Sequence, residues 1–422
     1  MAAISFLAFL LCGPLAQALP ATIGHGTHGA NIASHSLKVD VKTNPKFMPN
    51  GVAAYAHALK KWSSKGPGEL AQSLAAMGGI GDAGATSARG DREFLSLVGF
   101  GTPAQYLDVY VDTGSADVWV YSSLTKPEQV GNHSTWVIQQ STTATPVENG
   151  TWTVQYSDGS AAYGQVFTDS ITLGDLTIDK ATIEAAVSVS DEFILDDAID
   201  GLFGLAYNLP NRASPEQPTV MSAMLPQLSK PLFTADLRHN SSNGAYTFGY
   251  IDGSRFLSDA GEHVFFTPLT ANSQFWQFDF TGLYVGGTSS VFNSSWSAIA
   301  DTGTSLMLLH SDLAKLYYDA VPGAQYNVTT SSGGGGLWTY PCQTLPALPD
   351  FEISFASGFA ATVPGRYLNY SVFPFAEGMC VGGLQVMPDE DEQILGAVFL
   401  KSVYAVFDAG QAQIGFAKKA LD

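Results

Sequence analysis

The tripeptide Asp-Thr-Gly occurs twice in this chain, at Asp112-Thr113-Gly114 and at Asp301-Thr302-Gly303, 189 residues apart. Each copy interrupts an apolar run. Leu107-Asp108-Val109-Tyr110-Val111 alternates as a half-buried strand does, ends on the Asp112 carboxylate, and gives way to turn residues before a new run at Val118. Ile299-Ala300 leads into Asp301 in the same way, and Leu306-Met307-Leu308-Leu309 follows. Asp and Gly are poor strand residues, so a chain that needed only sheet would not break there. One such tripeptide reads as a solvated turn; two in the same apolar setting point to a repeated unit. A second landmark agrees. Leu202-Phe203-Gly204 and Ile394-Leu395-Gly396 are both apolar-apolar-Gly and lie 192 residues apart, which predicts two homologous lobes.

The rest of the chain fits strands better than helices. It has 422 residues, 43 of them Gly, with only 14 % charged, and short apolar runs separated by polar or Gly breaks continue from Phe94 to the end. Helices are predicted near Pro218 to Leu228 and from Ser311 to Ala320, the latter started by Ser311 with Asp312. The formal charge of −19 argues against nucleic acid as a partner, because phosphate binding needs clustered Lys and Arg. No Gly-x-Ser-x-Gly elbow occurs, and His25-x-x-His28 has no Cys or carboxylate near it, so neither a serine nucleophile nor a metal is predicted.

The first 88 residues differ from the remainder. Residues 1–18 read as a secretory signal peptide: Ile4 to Cys12 is too short to span a bilayer, and Ala16-Gln17-Ala18 is a small-x-small cleavage site. No membrane anchor is predicted, because neither a long apolar stretch nor a C-terminal lipid-anchor tail is present. Residues 19–88 hold Lys38, Lys42, Lys46, Lys60, Lys61 and Lys65 against Asp40, Glu69 and Asp82, a basic leader on a body with 13 basic and 35 acidic residues. After Asn50-Gly51, Val52 to Trp62 is rich in helix formers, and a Gly/Ala/Ser stretch runs on to Ala88 as an accessible linker. Export fits the cysteines: Cys342 and Cys380 remain once the signal peptide leaves, an even pair in an oxidising compartment, predicted to form a disulfide. Six glycosylation sequons accompany them, at Asn132, Asn149, Asn240, Asn293, Asn327 and Asn369.

The two Asp-Thr-Gly stretches, with Tyr156-Ser157-Asp158-Gly159-Ser160, Asp200-Gly201-Leu202-Phe203-Gly204-Leu205, Ile394-Leu395-Gly396 and Phe399-Leu400-Lys401-Ser402, resemble the pepsin-like aspartic peptidases. The likeness is strongest to the secreted fungal branch typified by penicillopepsin and aspergillopepsin, and it runs from Phe94 to the C-terminus. It implies an all-β, bilobal acid-protease fold with six-stranded-type lobes over 89–275 and 276–422, a central cleft and few short helices. It implies an endopeptidase with no cofactor, monomeric and secreted, acting on polypeptides through water held between Asp112 and Asp301. Thr113 and Thr302 are then expected to exchange hydrogen bonds across the lobes. Gly114 and Gly303 would admit backbone N–H groups to the carboxylates, and Ser115 and Thr304 would place hydroxyls on their outer oxygens.

Further roles follow from the same likeness. Tyr156, Asp158, Gly159 and Ser160 would form the tip of a hairpin flap, with Tyr156 bonded to Trp119; Asp-Gly is itself a strong hairpin signal. Phe193 and Leu202 would line the pocket before the scissile bond, favouring large hydrophobic residues, and Asp158 could accept Lys there. Residues 19–88 would be a propeptide, an intramolecular inhibitor cut between Gly79 and Arg92, with Lys61 (or its neighbour Lys60) beside Trp62 blocking the aspartates. The resemblance also places a bridge at Cys342 and Cys380. Two departures stand out: Ala397 where relatives carry Asp, and Ser157 where Gly is more frequent. Glycosidases also use paired carboxylates, but their chemistry needs no duplicated Asp-Thr-Gly. A silent homologue would typically have lost one aspartate or motif glycine, and both are intact here.

Overall fold

The structure is a computed structural model describing residues 34–43, 49–62, 94–155, 161–190, 193–194, 198–239, 241, 243–257, 263–328, 336–344, 348–387 and 392–421. The stretches expected to be a signal peptide, a linker up to Ala88, a cut between Gly79 and Arg92 and a hairpin tip over 156–160 fall outside these residues. Among the described residues, no helix is long and apolar enough to cross a membrane.

The segment before the first Asp-Thr-Gly contributes a strand, β1 (Leu37–Thr43), and a helix, α1 (Gly51–Trp62). In α1 the Asn50 side chain accepts from the backbone N–H groups of Val52 and Ala53, both at 3.1 Å, so the helix is capped where the sequence predicts its start. Val52, Tyr55, Ala56, Leu59 and Trp62 form the buried stripe, at the spacing of one helical face.

The first half of the body runs β2 (Phe94–Phe100), β3 (Gln105–Asp112), β4 (Val118–Tyr121), β5 (Thr145–Gln155), β6 (Ala161–Leu173), β7 (Leu176–Val189), β8 (Gly201–Gly204) and β9 (Ala213–Ser214). Helix α2 (Val220–Met224) follows, inside the predicted span. Next come β10 (Leu232–Asp236), β11 (Ala245–Phe248), β12 (Phe265–Pro268), β13 (Gln277–Val285), β14 (Thr288–Ala300) and β15 (Met307–Leu309). Helix α3 (Ser311–Asp319) starts at Ser311 as expected and ends one residue short of Ala320. His310 is the cap, its Nδ1 accepting from the Asp312 N–H at 3.2 Å. The remaining strands are β16 (Gln325–Val328), β17 (Gly336–Pro341), β18 (Phe351–Ser354), β19 (Ala360–Val363), β20 (Asn369–Val372), β21 (Met379–Gly382), β22 (Leu384–Val386) and β23 (Gln393–Leu395). Helix α4 (Ala397–Leu400), β24 (Val403–Asp408) and β25 (Gln413–Lys418) end the chain.

Duplication is visible in the strand order. In the first half β2 pairs antiparallel with β3, β3 parallel with β8, β8 antiparallel with β4, and β4 parallel with β7. The second half repeats this as β13, β14, β23, β15 and β22, with the same four relative directions. Each Asp-Thr-Gly thus leaves the end of one strand and returns as another, with the apolar-apolar-Gly strand threaded between. The threading leaves no room for a side chain on that glycine. A Cβ on Gly204 would sit 2.7 Å from the Ser115 and Asp117 carbonyl oxygens, and one on Gly396 would sit 2.2 Å from those of Thr304 and Leu306. In the first half β6 also pairs back to β2, closing a ring of six strands.

A central layer joins the two halves. β10 and β11 pair with each other, β10 with β24, and β25 with both β24 and β12, so residues from before and after the second Asp-Thr-Gly share one sheet. Strand β1 fills the gap between β11 and β2 and makes the run continuous over fourteen strands. Its alternation explains why it fits: Leu37, Val39 and Val41 are buried, whereas Lys38, Asp40 and Lys42 are exposed. Trp276 anchors the core beside this layer, packed on Phe233 and Phe407, with its indole N–H donating to the Leu205 carbonyl at 2.8 Å.

The smaller third sheet, β16-β17-β21-β20, carries the predicted Cys342–Cys380 disulfide between the end of β17 and β21. Replacing both cysteines by Ser should lower unfolding free energy by about 2–4 kcal/mol, because the bridge restricts a long loop in the unfolded chain. Urea unfolding of the double variant against the parent checks it; an unchanged midpoint contradicts it.

Candidate active site

Asp112 ends β3 and Asp301 follows β14, and the two strand ends meet. Both carboxylates are buried, Asp301 completely. The loops are held by two reciprocal pairs of hydrogen bonds. The Thr113 N–H donates to Thr302 Oγ1 at 3.1 Å and the Thr302 N–H to Thr113 Oγ1 at 3.0 Å. The two hydroxyls in turn donate into the opposite strands, Thr113 to the Ala300 carbonyl at 2.9 Å and Thr302 to that of Val111 at 2.8 Å. With all four groups buried and paired, shifting one loop relative to the other would orphan several donors at once.

Each carboxylate is oriented from its own loop. The Gly114 N–H donates to Asp112 Oδ1 at 2.8 Å and the Ser115 hydroxyl to Oδ2 at 2.6 Å. On the other side the Gly303 N–H donates to Asp301 Oδ1 at 2.9 Å, and the Thr304 hydroxyl donates to Oδ2. The glycines also make space. A Cβ on Gly114 would lie 2.7 Å from Asp301 Oδ1, and one on Gly303 would lie 2.1 Å from Asp112 Oδ1. Each glycine is therefore the gap into which the opposite carboxylate fits.

Lys61, in the last turn of α1, ends between them. Its Nζ lies 2.6 Å from Asp112 Oδ1 and 2.9 Å from Asp301 Oδ2. Trp62 stands beside it and donates its indole N–H to Asp301 Oδ2 at 3.2 Å and to Thr304 Oγ1 at 3.1 Å, with its ring edge-on to Phe275. Burial disfavours the charged form of all three ionisable groups, and their mutual charges decide the outcome. For Asp112 the Lys61 ammonium and the local hydrogen bonds outweigh burial and hold the carboxyl below its ordinary value. For Asp301 burial, reinforced by the Asp112 charge, outweighs Lys61 and raises it. Lys61 is raised despite burial, because two carboxylates face it.

Other expected residues gather nearby. Trp119 packs edge-on against Phe193, with ring centroids 5.0 Å apart, and Leu202 and Phe193 both lie against its cluster. Trp119 Nε1 is buried and has no hydrogen-bond partner among the described residues, which do not include Tyr156, its expected partner, or Asp158, Gly159 and Ser160. The Lys60 side chain is likewise outside them. Of the sequons, Asn132 and Asn149 are exposed. Asn327 is half-buried, donating its amide to Thr339 at 2.5 Å, and Asn369 accepts from the Tyr340 hydroxyl at 2.8 Å. Asn240 and the side chain of Asn293 are outside the description. Ala397 is buried at the start of α4, its N–H donating to the Thr304 carbonyl at 2.7 Å, so this link to the Asp301 loop needs no side chain. Sequence reading missed the direct contact of Trp62 with Asp301, for which adjacency to Lys61 was the signal, and it missed β1. Among the described residues no three His, Cys, Asp or Glu side chains gather as a metal ion would require.

A pair of buried aspartates on twin loops, each loop carrying Asp-Thr-Gly, defines the aspartic class of peptidases. The family model for eukaryotic aspartyl proteases matches residues 93–419, and the chain belongs to that family: it is a peptide-bond hydrolase of the aspartic type. It is 36 % identical over 406 residues to penicillopepsin-1 of Talaromyces stipitatus, covering 96 % of this chain and 98 % of that protein. It is 37 % identical to aspergillopepsin-1 of Aspergillus fumigatus over 90 % of each, and 35 % identical to penicillopepsin-3 of Penicillium janthinellum over 97 % and 98 %.

The glycine gap gives a test. Gly303→Ala must push the Asp112 carboxylate aside, and a displacement of that order is expected to cost on the order of 10²-fold in kcat. Peptide hydrolysis by the variant measures it; activity within a few-fold of the parent contradicts the packing argument.

Proposed function

We propose that the chain is a secreted aspartic endopeptidase made as an inactive precursor, with Asp112 and Asp301 as its catalytic pair. The observation that carries this is Lys61: one atom lies within hydrogen-bonding reach of both carboxylates, as a shared water must. Two carboxylates this close cannot both ionise without a counter-charge, so in the free enzyme they hold one proton between them. The ionised member takes a proton from water as that water attacks the peptide carbonyl, and the protonated member donates to the carbonyl oxygen. The tetrahedral diol then collapses: the protonated carboxyl gives its proton to the departing amine while the ionised one takes a proton from a diol hydroxyl, which restores the single shared proton. Replacing either aspartate by Asn should lower kcat by about 10²–10⁴-fold or more. Hydrolysis of denatured haemoglobin at acid pH, blocked by a statine-type transition-state mimic, tests the assignment; undiminished activity in Asp301→Asn refutes it.

In the precursor, residues 1–18 direct export and residues 19–88 are the inhibitory leader. Support comes from the leader's contacts: β1 completes the central sheet, α1 is buried along one face, and Lys61 with Trp62 occupies the carboxylate pair. Release is driven by acid. The Asp112 carboxyl sits below its ordinary value, so the Lys61 pairing is at full strength above the ordinary carboxylate range and is lost as pH falls through the lowered value. Lys61, raised, stays charged across that window. Lys42, paired with Asp108 at 2.9 Å, adds a second, more exposed contact between leader and body. N-terminal sequencing after neutral and acid incubation should find the intact leader in the first case and a cut between Gly79 and Arg92 in the second. Lys61→Met should activate at higher pH than the parent; an identical activation profile removes Lys61 from the mechanism.

Substrate preference is assigned to the Trp119 cluster. Phe193 and Leu202 give an apolar wall suited to large hydrophobic side chains before the scissile bond, and Asp158 would additionally admit Lys. Competition between matched Leu and Lys peptides, before and after Asp158→Ser, separates the two; an unchanged ratio excludes Asp158.

A further inference from the structure

A second pair of buried carboxyl groups lies behind the Asp112 loop, and neither member takes part in the chemistry above. Glu184 sits on β7, opposite Trp119 of β4 on one side and Val166 of β6 on the other, and its side chain is fully shielded from solvent. Among the described residues, no donor gives a hydrogen bond to either of its oxygens. Asp117, five residues beyond Asp112 and itself buried, stands two residues before Trp119, the register partner of Glu184, and its carboxyl is the group that Glu184 faces. Two hydrogen-bond acceptors in contact can be joined only by a proton, and a bare charge in that position has no compensation.

Asp117 is the better placed of the two to stay ionised. Its Oδ1 accepts the Arg212 backbone N–H at 2.6 Å, and the Arg212 guanidinium Nε lies 3.8 Å from Oδ2. Its backbone carbonyl accepts the Gly204 N–H at 2.9 Å, so fixing Asp117 also fixes the threaded strand β8 against the Asp112 loop. We propose that Glu184 is a proton-bearing positioning residue: its carboxylic O–H donates to the Asp117 carboxylate and pins the turn that carries Asp112 to the wall that carries Trp119. The inference concerns the placement of that loop and stands whether or not Asp112 and Asp301 act as proposed.

The groups facing the pair are Arg212, which favours ionisation, and Asp112, which opposes it at Asp117; the β4 and β6 residues opposite Glu184 are uncharged. Burial, then the Asp117 charge, raises the Glu184 carboxyl well above its ordinary value, and burial raises Asp117. An acid whose folded value is raised binds its proton more tightly in the folded state. Its contribution is complete below the ordinary carboxylate range, declines above it, and is gone once pH has risen through the folded value. The chain therefore carries a proton-dependent clamp that loosens towards neutral pH.

The test follows the melting temperature of the full chain from about pH 4 to about pH 7, starting at the ordinary Glu value and rising towards the raised one. Glu184→Gln keeps the shape and donates permanently through its amide, so its melting temperature should fall less over this range than that of the parent. The difference between the two slopes should exceed about 2–4 °C. Glu184→Asp, still titratable but shorter, should keep the steep fall. Difference infrared spectra near neutral pH should show a protonated-carboxyl C=O band in the parent that is missing from Glu184→Gln. Parallel melting curves, or no band lost, overturn the proposal. Should Glu184→Gln fail to fold, Asp117→Asn must flatten the same curve, and a parental slope there overturns it equally.

Discussion

Everything at the centre of this molecule depends on bringing two carboxylates together where neither is comfortable. Burial opposes the charge on each, and each opposes the charge on the other. The geometry survives because the loops that carry them are tied to one another more firmly than the carboxylates repel. The Thr113 and Thr302 side chains each accept from the other loop and donate to the other strand, so the tie is fully satisfied inside the core. Such a tie costs little in conformational entropy, since both residues are short and already buried.

The duplicated topology explains why the tie is symmetric. Each aspartate ends a strand, each following strand returns beside an apolar-apolar-Gly strand, and each of those glycines passes within a carbonyl's reach of its loop. A loop so enclosed has little freedom to drift. The central layer, built from strands both before and after the second Asp-Thr-Gly, then fixes the halves relative to one another, so the carboxylates meet at a position set by backbone hydrogen bonds. The leader exploits the same layer: β1 supplies the strand between β11 and β2 while α1 delivers a cation to the dyad.

How much of this the sequence disclosed follows from the range of each interaction. The Asp-Thr-Gly loops, the repeat, helix α1 and the cysteine pair were legible, because each rests on a local pattern or on counting. The central layer was not, since β10 and β24 pair across about 170 residues of chain and nothing local encodes the partner. Strand β1 carries a local signal of its own in the alternation of Leu37-Lys38-Val39-Asp40-Val41-Lys42, though its partners β11 and β2 lie far along the chain.

Glu184 shows why local patterns fail in this fold. In an open sheet with one wet face, a glutamate between Ile183 and Ala185 would mark the solvent side. Here β7 is covered on both faces: Ala181 to Ala186 are all buried, so alternation carries no information about which residue meets water. Only the three-dimensional neighbour distinguishes a solvated acid from one that must keep its proton, and that neighbour, Asp117, belongs to the turn after the first Asp-Thr-Gly. Two carboxyl pairs therefore flank the same few residues. One faces the site, where a lysine supplies the missing charge; the other faces the core, where only a proton can.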